Sequence, residues 1–562
     1  MPSLIKSIAL KNFKGFSEEV RIDLRPITLL FGANSAGKST ILQALQYVRE
    51  ILERNNLNPD RTLQGGEAVD LGGFLNLVCG RDPAKRIEIE IGMDLRGESF
   101  PEITPESFDE WVASNETHDF YSELYEIRGA VLDASVRLEI AWQPLRNTAV
   151  VTKYEVGING SWCVRLEGSP TGRDVTMQIN RENSIFLREQ TEEDEEADAA
   201  LALLDDWVAE SDIPAGEGSP LLPDGQRPRV SVLPSILAAV RDAGMERPGA
   251  GLRSWLHGFG SALPRLERML NIPVSGVQGA QNIYVAREFT AFLTWLTVGP
   301  AMLLRDQLQA ARYVGPLRRV PPRGFEASLT KNESAWADGM AAWEALLVRS
   351  NEMLERCSDW LRDADKLNTG YGFLRTEVQE IDTDTGAPLG RPKPRLSLVD
   401  AAGLKHQALD IGVGISQVVP VVVAAQDDRA SIVSIEQPEL HVHPAVQVGL
   451  GDLFIDGAIE RGLSFLLETH SEHLILRLLR RIKETTEGSL PEGASAVTPD
   501  DVNIVYLEKG QDGGVIAHSI GVDANGKFND RWPRGFFPER MREALPPEVR
   551  RRMEAGSAGD AS

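Results

Sequence analysis

Cysteine is scarce in this chain: three thiols, Cys79, Cys163 and Cys357, are spread over 562 residues. Spacing that wide excludes a disulfide framework and suits reduced thiols in the cytoplasm. Positive charge is also in short supply, with 59 Lys and Arg against 83 Asp and Glu, a net charge of −24. A chain this acidic does not coat nucleic acid, because phosphate contacts need Lys and Arg, and only a local basic surface is left open. No signal-peptide pattern opens the sequence, since Met-Pro-Ser-Leu-Ile-Lys runs straight into strand-like alternation. Long apolar runs are missing too. The most apolar window, residues 289–304, is closely flanked by Arg287, Glu288 and Arg305 and broken by Gly299 and Pro300. It is too short to span a bilayer and is expected as a buried helix, so no membrane is called for. No heptad pattern persists over several turns, which argues against a long coiled-coil arm, and no internal repeat stands out.

What is present is a phosphate loop. Residues 32–39 read Gly-Ala-Asn-Ser-Ala-Gly-Lys-Ser, a complete GxxxxGK[ST] pattern. An apolar run at 27–31 precedes it, and 40–49 carry apolar side chains at helical spacing. In a strand–loop–helix context, backbone N–H groups and the helix N-terminus cradle phosphates. Gly32, Asn34, Ser35, Ala36, Gly37, Lys38, Ser39 and Thr40 are the candidate ligands of a nucleoside triphosphate. Within them, Lys38 is assigned to the β and γ phosphates and Ser39 to Mg²⁺.

At this length, and with 42% apolar residues, two or three domains are expected. Residues 1–95 read as the first part of a nucleotide-binding domain, with strands near 3–10, 20–24 and 86–91. Residues 96–310 read as an inserted mixed domain with a small antiparallel piece between 136 and 166. An acidic run at 189–198 and a Pro/Gly-rich stretch at 214–228 follow within it. Regular α/β sequence resumes over 311–520, with buried-type strands at 431–435 and 463–467 that suit a mostly parallel sheet. Residues 521–562 hold a Trp-Pro-Arg-Gly-Phe-Phe stretch and a tail expected to be disordered.

The second half of the nucleotide site lies in 431–444, Ser-Ile-Val-Ser-Ile-Glu-Gln-Pro-Glu-Leu-His-Val-His-Pro. An apolar strand ending in an acid aims a carboxylate at the metal held on a phosphate loop. Residues 466–472 repeat the strand-then-polar pattern and place His470 at another strand end. Together these motifs resemble an ABC-type ATPase of the SMC/RecF class, in particular the OLD-like AAA ATP-binding proteins of prokaryotic defence loci. Gly-Pro-Leu-Arg at 315–318, Glu-Gln-Pro-Glu-Leu-His at 436–441 and the C-terminal Trp-Pro-Arg-Gly-Phe-Phe at 532–537 narrow the resemblance to one subfamily. It covers the regions before 95 and after 310 and says little about the middle.

The resemblance implies an α/β fold, an ABC-type P-loop ATPase head with a large mixed α+β insertion, and ATP with Mg²⁺ as ligands. Glu436 takes the position of the metal-binding aspartate, and Gln437 that of the glutamate which polarises the attacking water. A neutral amide accepts no proton, and general-base help is worth about 10²–10⁴ in rate. Glu439 substitutes as base, or Glu436 combines both roles, or hydrolysis is slow and the ATP-bound form long-lived. His470 resembles the switch histidine that senses the γ-phosphate. Residues 412–417 are the candidate signature loop, with Gly414, Ser416 and Gln417 as ATP contacts, although here the glycines precede the serine. Gln64 is the candidate Q-loop glutamine. Arg318 is open to a phosphate, a partner or a structural ion pair. His441 and His443 fit the turn after the acidic strand better than a metal site.

One phosphate loop and one signature candidate imply head-to-head closure, most simply a symmetric homodimer with two ATP molecules at its interface. No nuclease domain of the TOPRIM type fits after His470, and Glu508-Lys509 lacks the intervening residue of a PD-(D/E)xK site. Three functions follow: an ATP-dependent switch with a partner effector in antiphage defence, a DNA repair or chromosome-maintenance ATPase, or an ATP-bound scaffold that does not hydrolyse. For the second, Arg477, Arg480, Arg481 and Lys483 are the candidate DNA contacts, with a solvated helix face as the alternative.

Overall fold

The computed structural model describes residues 3–53, 71–101, 126–144, 147–168, 175–180, 182–189, 229–231, 261–270, 280–327, 333–511, 513–530 and 532. Gln64, the Pro/Gly-rich stretch, nearly all of the acidic run and residues 533–537 lie outside them.

The chain opens with β1 (Ile5–Lys11) and β2 (Val20–Asp23), followed by β3 (Ile27–Gly32) and α1 (Lys38–Glu53). Then come β4 (Ile87–Asp94), β5 (Asp133–Gln143), β6 (Thr148–Ile158), β7 (Ser161–Gly168) and β8 (Val175–Ile179). These strands alternate apolar and polar residues, the signature of a sheet with one buried face. Ile87, Ile89 and Ile91 are buried, while Glu88 and Glu90 on the opposite face pair with Arg137. The result is one antiparallel sheet of seven strands in the order β2-β1-β4-β5-β6-β7-β8. Strands from both sides of residue 95 share it, so the antiparallel piece expected in the insertion extends the sheet begun by the N-terminal strands. A short antiparallel pair, β9 (Leu187–Glu189) with β10 (Arg229–Ser231), stands apart.

The apolar window around residue 295 lies in a long helix, α2 (Ala280–Gln309), and Phe289, Phe292, Leu296 and Leu304 on it are fully buried. Pro300 lacks the N–H that would close the bond to the fourth residue before it. Nearby, the Tyr154 hydroxyl donates to the Thr297 carbonyl at 2.6 Å. No helix among the described residues is long and apolar enough to cross a membrane.

From residue 312 the pattern becomes parallel α/β. The elements are β11 (Arg312–Val314), α3 (Met340–Val348), α4 (Asn351–Arg362), and a ribbon of β12 (Gly372–Ile381), β13 (Pro388–Val399) and β14 (Lys405–His406). Next follow α5 (Val413–Ala425), β15 (Ile432–Glu436), α6 (Pro444–Ile459), β16 (Ser464–Glu468), α7 (Glu472–Glu487), β17 (Val502–Lys509) and β18 (Val515–Ile520). They form a six-stranded sheet in the order β11-β15-β16-β3-β17-β18. All neighbours are parallel except the last pair.

The N-terminal strand β3 thus sits in the middle of a sheet made otherwise from residues beyond 311. Its unbroken apolar run follows from burial on both faces. Ile27, Leu29 and Phe31 face one core with α3 to α7, whereas Leu30 faces the other with α1, α2 and the antiparallel sheet. The α/β ATPase-head architecture expected from the sequence is present. Trp532, the first residue of the C-terminal aromatic stretch, is buried against Phe31, Tyr506 and Phe528.

Candidate functional site

The site lies at the carboxyl ends of three adjacent parallel strands. In register, Glu436 at the end of β15 lies beside Glu468 at the end of β16, and Glu468 beside Leu30 of β3. The phosphate loop leaves β3 two residues later. Its turns demand small residues: Gly32 has φ +141° and Gly37 φ +94°, and a Cβ on Gly32 would stand 2.1 Å from the Leu507 carbonyl oxygen. Ser35 also adopts a left-handed conformation, φ 61°. Alternation of this kind turns successive backbone N–H groups inward, the concavity that binds anions. Ala33, Asn34 and Ser35 form an exposed rim, while Ala36, Lys38 and Thr40 are buried.

The Lys38 ammonium donates to the Gly32 and Ala33 carbonyls, each at 3.0 Å, and lies 3.9 Å from Glu468. Burial lowers its pKa against the pull of Glu468 and Glu439. The Ser39 hydroxyl donates to Glu468 at 2.6 Å. Glu436 accepts from the Tyr313 hydroxyl at 2.6 Å. Burial raises the Glu436 pKa, as does its neighbour Glu468, while Tyr313, Lys14 and Arg318 act the other way. A serine hydroxyl and two strand-end carboxylates make a hard oxygen donor set of the kind Mg²⁺ takes together with nucleotide phosphates. The glycine cradle beside them fits those phosphates, so the residues present suit both groups.

Glu439, two residues beyond Gln437, has both oxygens engaged. It accepts from the His470 backbone N–H at 2.7 Å and the Thr469 hydroxyl at 2.8 Å. Burial raises its pKa. Of the three readings of the missing base, substitution by Glu439 is therefore the least available. Gln437 itself stands in the left-handed region at φ 46°, a conformation that is costly outside glycine and concentrates at functional turns. Its carboxamide makes no hydrogen bond among the described residues. The His470 ring is exposed, and desolvation together with the Lys38 charge lowers its pKa.

Two of the expected signature residues, Ser416 and Gln417, are turned into the core. Helix α5 begins at Val413, so positions 416 and 417 fall one turn in, on its buried face. Ser416 is 1% exposed and donates back to the Val413 carbonyl, and Gln417 is bonded to Arg318. The surface this segment offers consists of Gly412 and Val413. Beside it, Gly412, Gly414, His441 and His443 line a cleft of about 190 Å³. Arg318 proves to be structural on its own side of the site: it is buried and donates to main-chain carbonyls, not to a carboxylate. The basic residues of α7 are paired: Arg477 and Arg481 with Asp452, Arg480 with Glu484, Lys483 with Glu487. A helix face neutralised in this way is a solvated surface more than a phosphate-binding one.

Sequence reasoning missed three neighbours of the site. Glu468 repeats the acid-after-apolar-strand signal of Glu436, two residues before His470. Tyr313 and Lys14 carry no local signal. Lys14 follows Asn-Phe in an ordinary strand-to-turn segment, and only the fold sets its charge near Glu436, with its ammonium on Gln43.

No curated protein matches the chain. Solved structures that show similarity include an SMC head domain from Thermotoga maritima, at 10% identity and TM-score 0.35, covering 92% of this chain and 100% of that one. Another is the Smc head with an extended coiled coil bound to the C-terminal domain of ScpA, derived from Pyrococcus furiosus. It gives 11% identity, TM-score 0.37, and coverage of 93% and 97%. A third, the Smc head with a coiled coil and joint from Pyrococcus yayanosii, gives 12%, 0.37, 93% and 98%. Residues 4–93, which span β1 to β4 with the phosphate loop and α1, match the AAA ATPase domain family, which supports an ATP-binding ATPase.

Proposed function

We propose that this chain is a slowly hydrolysing ABC-type ATPase that works as a nucleotide-controlled switch between two copies. The observation that carries the reading is the convergence of the glycine cradle, Lys38 and Ser39 with Glu436 and Glu468 at neighbouring strand ends. In this reading residues 32–40 hold the triphosphate, and Ser39, Glu436 and Glu468 hold Mg²⁺. The metal, when bound, neutralises charge that develops on the transferring phosphoryl group. Lys38 leaves its loop carbonyls for phosphate oxygens. Gln437 would orient water without accepting its proton, and His470, near enough to Lys38 for that charge to lower its pKa, would sense the γ-phosphate. The loss of a general base costs about 10²–10⁴ in rate, which makes the bound state long-lived.

In this reading two copies close on one another, with Gly412 and Val413, at the exposed start of α5, offered for contact with the nucleotide of a second head. The family resemblance adds a partner effector and a place in antiphage defence. A DNA-maintenance role is less well supported, since the α7 arginines are already matched by carboxylates.

Purified protein should bind ATP with Mg²⁺ and turn it over slowly, and Lys38→Ala should lose most of the affinity. Equal nucleotide affinity in the two proteins would sink the site assignment. Rapid turnover in the wild type would sink the slow-switch reading while leaving the site standing.

A further inference from the structure

Arg318 is 4% exposed, yet its guanidinium makes no ion pair among the described residues. Buried arginines without a carboxylate partner are costly and call for an explanation in what they hold. Here the guanidinium donates to the carbonyls of Gln417 at 3.3 Å, Glu436 at 2.7 Å and Gln437 at 3.1 Å. The Gln417 side chain completes the clasp. Its oxygen accepts from the Arg318 backbone N–H at 3.3 Å and its nitrogen donates to the Arg318 carbonyl at 2.6 Å. Arg318 and Gln417 are thus locked to one another at both the main chain and the side chain.

The two ends of this clasp matter. One end is the first turn of α5, whose exposed start is Gly412 and Val413. The other is the left-handed Gln437, whose N–H donates to the Glu468 carbonyl at 2.8 Å. A strained turn of this sort persists only where surrounding bonds over-determine it, and Arg318 supplies the bonds on its carbonyl side. Main-chain contact reinforces the link, because a Cβ on Gly414 would come within 2.6 Å of the His441 carbonyl oxygen, in the same turn.

We propose that Arg318, clasped by Gln417, is a positioning residue that holds the Glu436–Gln437 turn and ties it to the start of α5. A contact made on Gly412 and Val413 by a second copy is thereby felt at this copy's own water-orienting glutamine. The proposal rests on the ATPase reading above for its catalytic consequence, but not for the clasp itself. Lysine has one ammonium in place of a fork and cannot reach three carbonyls at once. Burial lowers the Arg318 pKa to about 10, so the guanidinium itself stays cationic at neutral pH.

The test compares wild type, Arg318→Lys, Gln417→Leu and the double variant, each checked for an unchanged cooperative melt. In nucleotide-free protein, amide hydrogen exchange across 437–443 should rise at least tenfold in Arg318→Lys and in Gln417→Leu, with exchange in β3 unchanged. In the presence of Mg-ATP, both single variants should keep the wild-type Kd within about twofold and lose roughly tenfold or more in kcat. The double variant should fall no further than the worse single one, because residues acting as a unit are not additive. Unchanged exchange at 437–443 overturns the clasp, and multiplicative losses in the double variant overturn the coupling. Failure of wild type to bind Mg-ATP sinks the proposed function instead, and the exchange experiment still decides the clasp. If Arg318→Lys does not fold, Gln417→Leu alone carries the comparison.

Discussion

In the proposed reading, Gln437 brings an amide to a position where a carboxylate would take a proton. A single substitution therefore has an upward expectation. Gln437→Glu should raise kcat by about 10- to 100-fold, part of the 10²–10⁴ that general-base catalysis supplies, with little change in nucleotide affinity. Steady-state turnover of the two proteins measures it, and an unchanged kcat would show that water is oriented elsewhere. The buried carboxylates give a second expectation with a definite sign. Burial raises the pKa of Glu436 above its ordinary 4.5, and Glu439 behaves likewise. Between 4.5 and that raised value the folded chain holds more protons than the unfolded one, so this contribution to stability falls as pH rises. His470, with its pKa lowered from 6.5, slopes the opposite way at acid pH, so the comparison must be between proteins. Glu436→Gln should flatten the decline above 4.5 relative to wild type in ligand-free melts recorded at several pH values. Parallel curves would mean that Glu436 is not protonated more readily in the folded state.

At the scale of elements, the phosphate loop depends on where β3 runs. Gly32 combines positive φ with a carbonyl of β17 in the space a methyl group would need. Gly32→Ala should therefore cost about 2–4 kcal/mol, from backbone strain and a displaced strand pair together. Chemical denaturation of this variant, with a midpoint unchanged from wild type, would contradict the geometry. The same elements explain what could be read from sequence. The loop at 32–39 was legible because its signal is local, and β15 and β16 because short apolar runs between turns mark doubly buried strands. The antiparallel sheet was legible strand by strand but not as one sheet, since pairing of β4 with β5 joins segments nearly 40 residues apart. The start of α5 misled in one respect. The family resemblance put Ser416 and Gln417 on a nucleotide-facing loop, whereas helix phase turns both inward and leaves Val413 outside. Tyr313 and Lys14 reach the site only through tertiary packing, for which no single stretch of residues gives a sign.

For the whole molecule, closure of two heads is the central expectation, and Val413 offers a clean handle on it. The side chain is 59% exposed at the first position of α5, where an acidic residue suits the helix N-terminus. Val413→Asp should fold normally and bind ATP as wild type does, yet fail to form the ATP-dependent dimer, because its charge meets phosphate and apolar surface across the interface. Sedimentation with and without a slowly hydrolysed ATP analogue reads this directly. A variant that still dimerises would place the interface elsewhere.

The strand order carries one consequence for how the protein comes into being. Chain synthesis delivers β3 and its phosphate loop long before the strands that flank β3 on either side, which begin at Ser464 and Val502. While the ribosome works through the intervening residues, β3 has no neighbour to pair with and one of its apolar faces no core to enter. Non-local pairing of this kind is slow and exposes strand edges until it is complete. The nascent chain accordingly carries the phosphate loop before the sheet that flanks it exists. The candidate site therefore assembles only after β16 and β17 have been made.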